Sequence, residues 1–250
     1  MSDMPNSEVE IQKTPRASRL VGIGLLTIFF LAVFIALGVW QVERLSWKLD
    51  LIARVDARVH AGPVPVPEEA GWPAVSAAND EYRHVTASGR FLHDKSALVY
   101  ASTERGPGYW VLTPLQTDGA AIVYVNRGWV PADRKDPASR AEGDPVGPVS
   151  VTGLLRLAEP GGTLLRSNDP ADGRWYSRDV EAMGKMAGLA HVAPFFIDAD
   201  ATPNPGGLPA GGLTIVKFPN SHLSYALTWF AMAALSLVGG AILIRAERRR

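Results

Sequence analysis

The chain contains no cysteine among its 250 residues. That excludes a disulfide framework, a thiolate metal site and a cysteine nucleophile. It is compatible with an oxidising compartment without requiring one. The chain also lacks an excess of either charge, since 25 Lys and Arg balance 25 Asp and Glu. Its basic residues gather only at the two ends, as Lys13, Arg16 and Arg19 and as Arg245, Arg248, Arg249 and Arg250. No comparable cluster lies between them, which argues against nucleic acid as a partner. There is no GxSxG elbow, no P-loop and no GxGxxG, so the common signatures of acyl transfer and nucleotide chemistry are missing. Histidine is scarce: His60, His84, His93 and His191 stand apart, without the close spacing of a zinc or hydrolase site. The methionines are scattered, against copper handling. Asp198 and Asp200 flank a Pro/Gly-rich loop and read as solvated carboxylates. Nothing indicates an enzyme.

What the chain does have is two long apolar runs. From Leu20 to Trp40 no residue is charged, and a helix of that length spans about 30 Å, the thickness of a bilayer core. The run is too long for a typical signal-peptide core and lacks a small-residue cleavage site before Trp40, so it reads as a retained anchor. A second span covers residues 222–244. Both ends that face the tails are basic, which puts both termini in the cytoplasm and residues 41–221 outside. Trp40, Trp47, Tyr225 and Trp229 suit interfacial anchoring. Residues 1–19, polar and interrupted by Pro5 and Pro15, read as a cytoplasmic tail, and residues 245–250 as a second, basic one.

The first helix is expected to continue over residues 41–60, along a stripe of Leu45, Leu49, Ile52 and Val59, until Gly62 and Pro63 stop it. The following PVPVP is a stiff linker. Residues 82–218 read as β-rich. Strand candidates are His84–Phe91, Ala97–Ala101, Tyr109–Gln116, Ala121–Asn126, Val149–Leu157, Pro194–Ile197 and Leu213–Phe218. Asp118-Gly119 marks a hairpin whose glycine takes the positive φ of a tight turn. One short helix, Val180–Ala187, follows Asp179. Helical crossovers are missing, so the sheet should be mainly antiparallel. Closure into a barrel would remove its edges, which periodicity does not test. The expected fold class is therefore an α+β membrane protein: two transmembrane helices flanking a mainly antiparallel β-rich extracytoplasmic domain.

One histidine differs through its setting. His222 opens the second apolar run, and on a helix it shares a side with Ala226, Trp229, Ala233, Ser236 and Gly240. Small residues there admit another helix or a flat ligand. An imidazole at that depth could ligate iron axially, with porphyrin beside Trp229; alternatively it caps the helix or hydrogen-bonds at the headgroups. Arg44 and Lys48, one helical turn apart after the first run, could hold anionic propionates or lipid phosphates, or snorkel at the membrane surface. In VNRGWVP, Arg127, Gly128 and Trp129 form either a binding edge or a structural turn at a strand end.

Three phrases then converge: LGVWQVERLSWK at the first membrane exit, YVNRGWVP in the middle and PNSHLSYALTWF at the second span. Together with GYWVLTPL and PNPGGLPAGG, in this order, they resemble the surfeit-locus-one family of cytochrome c oxidase assembly factors, over nearly the whole chain from Leu20 to Ile244. The resemblance implies a two-helix protein of the bacterial inner membrane with a periplasmic domain. It also implies a role in maturing the haem a centre of oxidase subunit I, alongside the haem a synthesis machinery. It matches His222 to the family's proposed axial ligand of haem a and Trp229 to a nearby tryptophan. On this reading His222 holds the iron, Trp229 packs on the macrocycle, Arg44 and Lys48 orient propionates, and Arg127, Gly128 and Trp129 contribute to partner docking. The competing reading is a cofactor-free membrane scaffold.

Overall fold

A computed structural model describes residues 16–249; of the tail expected at residues 1–19, residues 1–15 lie outside them and residues 16–19 belong to the first helix. The described chain forms two compact units, one made of the segments up to Ile52 and from Phe218, the other of Ala53–Lys217.

The first unit contains the two apolar helices. α1 runs from Arg16 to Val59 without a break, uninterrupted by proline, and ends just ahead of Gly62-Pro63. The long helix of the C-terminal segment spans His222–Arg249, so Arg245, Arg248 and Arg249, expected in a tail, continue that helix. Both helices are long and apolar enough to cross a membrane, with mean hydropathy of 2.9 and 2.1.

The second unit is a sheet of seven strands: β1 (Val64–Pro65), β2 (His84–Phe91), β3 (Ala97–Thr103), β4 (Gly106–Thr117), β5 (Ile122–Pro131), β6 (Pro148–Leu157) and β7 (Val192–Ala199). The order β2-β6-β7-β5-β4 closes on itself because β4 also pairs with β2, making a five-stranded barrel. β3 extends it beyond β4, and β1 adds a short edge to β2. Most pairings are antiparallel, but β5–β7 and β1–β2 are parallel. The β5–β7 contact is what β6 makes possible: it carries the chain across to β2's side and returns it to β7 in the direction of β5.

Closure depends on one small residue. Gly89 of β2 faces Gln116 and Thr117 of β4, and a Cβ there would overlap the Gln116 carbonyl. Inside the barrel, Val85, Leu115, Val123, Val125, Leu155, Phe195 and Ile197 form the core. Trp72 covers it, edge-on to Phe195 with ring centroids 6.3 Å apart. The other face of β4, β5 and β7 is covered too. The short helix α2 (Val180–Met186), capped by Asp179 Oδ1 accepting from Ala182 N at 3.1 Å, sets Val180 and Met183 against Leu112, Tyr124 and Phe196. Burial on both faces explains why β5 is buried from Ile122 through Val130 instead of alternating. The remaining helix, His222–Arg249, is α3.

Two expectations are corrected. Residues 213–218 form no strand: the chain pairs with β5 only through the isolated bridge of Ala210 to Trp129 and then runs on without joining a ladder. At the β4–β5 hairpin the positive φ belongs to Ala120 (64°), not Gly119, because the reversal spans Thr117 to Ala121, closed by Thr117 N donating to Ala121 O at 2.9 Å.

These two glycines should respond oppositely. Gly89→Val, forced against backbone, should cost at least about 2 kcal/mol. Gly119→Ala should stay within about 0.5 kcal/mol. Thermal unfolding followed by near-ultraviolet circular dichroism measures both.

Candidate functional site

α1 and α3 pack antiparallel within their unit. Arg19 pairs with Glu247 at 3.3 Å, Thr27 lies against Gly240 and Gly38 against Phe230. Phe34 stacks on Trp229 with centroids 5.8 Å apart and planes at 23°. The buried positions of α3 are Ala226, Ala233, Gly240 and Glu247, a seven-residue repeat that keeps one seam on the partner helix. A Cβ at Gly240 would overlap the Thr27 side chain, and one at Gly38 would overlap the Phe230 ring. Among apolar helices, such close approach stabilises through van der Waals packing rather than hydrophobic burial. Outside the seam the helices present large apolar side chains such as Leu25, Phe29, Leu227 and Leu235.

His222 stands at the first turn of α3, where its backbone N–H donates to Asn220 Oδ1 at 3.3 Å. Its Nδ1 lies 2.8 Å from Oε1 of Gln41 on α1. With Nδ1 as the donor to this amide oxygen, Nε2 would keep its lone pair. Gln41 is itself buried, 8% exposed. This is the arrangement that prepares an imidazole as a metal ligand, with one ring nitrogen held and the other free. Among the described residues, no group of three His, Asp or Glu side chains gathers to hold a bare metal ion. Gln41 was not singled out from sequence. Its signal was its place one heptad beyond Phe34 and two beyond Thr27, on the face of α1 that meets α3.

The other expected contacts are differently engaged. Trp229 stacks on Phe34. Arg44 lies 4.0 Å over the ring of Trp47, and Lys48 5.2 Å over Phe218. His84 and His93 bond backbone carbonyls at 2.8 and 3.0 Å, and His191 contacts Glu69 at 2.8 Å.

In the β-rich unit, the VNRGWVP strand end faces inward. Arg127 is 2% exposed; it donates to Asp144 Oδ1 at 2.6 Å, to the Gly143 carbonyl and to Asn204 Oδ1 at 3.2 Å. Burial pushes its pKa down, while the hydrogen bond and charge of Asp144 push it back up. Gly128, at φ 129°, admits the backbone of Ala210 and Gly211, and Trp129 N and Ala210 N exchange hydrogen bonds with each other's carbonyls at 2.9 Å. The three residues thus anchor the loop Pro203–Gly212 to the barrel.

Asp198 is buried, 3% exposed, where a solvated carboxylate was expected. Its neighbours across the sheet explain this: Asn126 on β5 donates to it at 2.8 Å and Arg156 on β6 at 3.2 Å, with Arg178 at 3.5 Å. Glu81 and Glu159 complete the network on Arg156 and Arg178, along a cleft of about 670 Å³. Asp200 instead caps a turn by accepting from Thr202 N at 2.9 Å.

Comparison with known proteins bears on both units. The SURF1 family model matches residues 28–234. Surfeit locus protein 1 of Rattus norvegicus is 35% identical over 223 residues, 83% of this chain and 71% of the relative. The Homo sapiens protein of that name is 36% identical over 217 residues, 79% and 69% of the two chains. A SURF1-like protein of Monosiga brevicollis is 36% identical over 219 residues, 82% and 81%. The family match takes in Gln41, Arg127, His222 and Trp229.

The cleft network gives a pH dependence. Burial pushes the Glu159 carboxyl up, but hydrogen bonds and charge from Arg178 outweigh it and hold the group below the usual carboxylate range. A folded pKa below the unfolded one contributes stability that is complete above the unfolded value and lost as pH falls through the folded one. The Tm should therefore fall as the pH is lowered through and below the ordinary glutamate range, and by less in Glu159→Gln, as a pH series of thermal unfolding would show.

Proposed function

Because the chain belongs to the SURF1 family, a family of oxidase assembly factors, we propose that it assists haem a insertion into, or maturation of, cytochrome c oxidase subunit I by holding haem a transiently on His222. The observation that carries this reading is the His222–Gln41 contact, which engages one ring nitrogen of His222 and leaves Nε2 without a partner among the described residues, at the mouth of an apolar helix pair. Haem a is cargo here, and it brings the redox-active iron that the oxidase needs. The chain's own task is to accept and release it, a non-catalytic role. A single protein ligand favours release, because fewer bonds must break at transfer.

In this account α1 and α3 cross a bacterial inner membrane, with both termini in the cytoplasm and the β-rich unit in the periplasm. The apolar helices and the basic residues at their outer ends support that arrangement. Trp229 receives the macrocycle by exchanging its contact with Phe34. Arg44 and Lys48 leave the faces of Trp47 and Phe218 for the propionates, a contact in which charge-assisted hydrogen bonds replace cation–π attraction. Arg127, Gly128 and Trp129 serve docking on the oxidase by holding loop 203–212 in one conformation. Subunit I, the haem a synthesis machinery and membrane lipid are the proposed partners.

A second reading, a cofactor-free scaffold for an oxidase assembly intermediate, is favoured by the same aromatic contacts: Trp229, Arg44 and Lys48 already have partners within the helix pair.

Expression with haem a synthesis, followed by purification and an absorption spectrum, separates the two. The haem reading predicts a Soret band that His222→Ala abolishes. Gln41→Leu should keep the helix pair and weaken haem binding by about 10–100-fold, the usual loss when the group orienting a ligating histidine is removed. A folded, haem-free wild type that still binds subunit I supports the scaffold.

A further inference from the structure

Arg140 is a buried guanidinium that forms no ion pair with any of the described residues. It sits in the 3-10 segment Pro137–Gly143 of the β-rich unit and is 6% exposed. Its Nε is buried with no hydrogen-bond partner, and no carboxylate among the described residues forms an ion pair with it. Buried charges in folded proteins are ordinarily paired, because burial otherwise disfavours the charged form. Arg127 differs at its terminal nitrogens. It is more deeply buried and its Nε is likewise unpartnered, but its Nη atoms hold Asp144, the Gly143 carbonyl and Asn204, whereas those of Arg140 hold no side chain or carbonyl among the described residues.

The nearby acids do not complete Arg140. Asp144 attracts it at a distance but is committed to Arg127 at 2.6 Å and His93 at 3.3 Å. Asp136 attracts it more weakly and uses its own oxygen to cap the segment, accepting from Ala138 N at 3.0 Å. Arg127 repels it. Arg140 also lines a cavity of about 310 Å³ together with Arg134, Ser139, Gly143, Gly206 and Leu208. Arg134 is held at this wall by donating to the Ser139 carbonyl at 2.7 Å. The one carboxylate on the wall, Glu142, lies along Gly206.

We propose that this cavity binds a carboxylate group, received by the guanidinium fork of Arg140 with Arg134 beside it. The fork presents parallel N–H groups that match the two oxygens of a carboxylate. One negative charge balances the wall, where Arg134 and Arg140 face Glu142; a phosphate dianion would overshoot it. The volume admits a group the size of a side chain, at the small end of ligand cavities. The carboxylate comes either from a free small acid or from an acidic side chain of a docking protein. The site is remote in sequence from His222, and its failure would leave the haem reading intact.

The test uses the purified full chain in detergent, with thermal unfolding measured at constant ionic strength. The probes are sodium acetate, inorganic phosphate and an end-blocked pentapeptide carrying one glutamate. Wild type should show a saturable rise in Tm with acetate or the peptide, about 5 °C when the probe exceeds its Kd a hundredfold. Tighter binding of the peptide than of acetate assigns the source to a protein, and the reverse to a free acid. Arg140→Met should lose the response, and Arg140→Lys, which keeps the charge without the fork, should bind at least about tenfold more weakly. Three results overturn the proposal: no saturable rise with either carboxylate, an unchanged response in Arg140→Met or Arg140→Lys, or a stronger response to phosphate than to both carboxylates. If Arg140→Met does not fold, Arg140→Lys alone decides.

Discussion

The close approach of α3 to α1 is the contact on which the candidate site depends. Ala226, Ala233 and Gly240 repeat every seventh residue along α3 and leave no side-chain bulk on the seam. That allows Thr27, Phe34, Gly38 and Gln41 of α1 to meet Gly240, Trp229, Phe230 and His222 in turn. A larger residue in the seam would separate the helices and part Gln41 from His222. The His222–Gln41 contact is thus a consequence of packing along the whole seam.

In the β-rich unit the corresponding constraint is closure. Once β4 pairs with β2 at Gly89, the sheet has an inside, and every strand of the barrel must divide its residues between the barrel core and an outer face. The outer face then becomes functional ground. On β7, Phe195 and Ile197 point into the barrel, while Phe196 lies under α2. Asp198, two residues on from Phe196, emerges on that same side into the charged cleft. The Arg127 anchor and the Arg140 cavity differ at the terminal guanidinium nitrogens: those of Arg127 have partners built in, and those of Arg140 have none among the described residues.

Much of this architecture was legible in the sequence. The two apolar helices follow from uncharged runs of bilayer length, and six of the seven strand candidates contain or overlap real strands because their apolar β-branched runs are bounded by Gly, Pro and Asp. What was not legible depended on partners distant in the chain. Leu213–Phe218 has the composition of a strand, but strand formation needs a partner ladder, and these residues pair with none of the seven strands. Asp198 looks solvated beside Pro203–Gly212 until β5 and β6 deliver Asn126 and Arg156 to it. His222 could be singled out by its position, whereas Gln41 could not, since a glutamine after an apolar run usually just faces the interface. Its meaning arises from a contact between residues 181 positions apart.

The account turns on which nitrogen of His222 carries the proton. Nitrogen-15 NMR of the haem-free protein, labelled at histidine and assigned by comparison with His222→Ala, reads this directly. At a pH where the ring is neutral, protonated Nδ1 and unprotonated Nε2 are predicted, with the pattern lost in Gln41→Leu. A proton on Nε2, or two nitrogens averaged by rapid exchange, would contradict the claim that the helix pair prepares this histidine as a ligand.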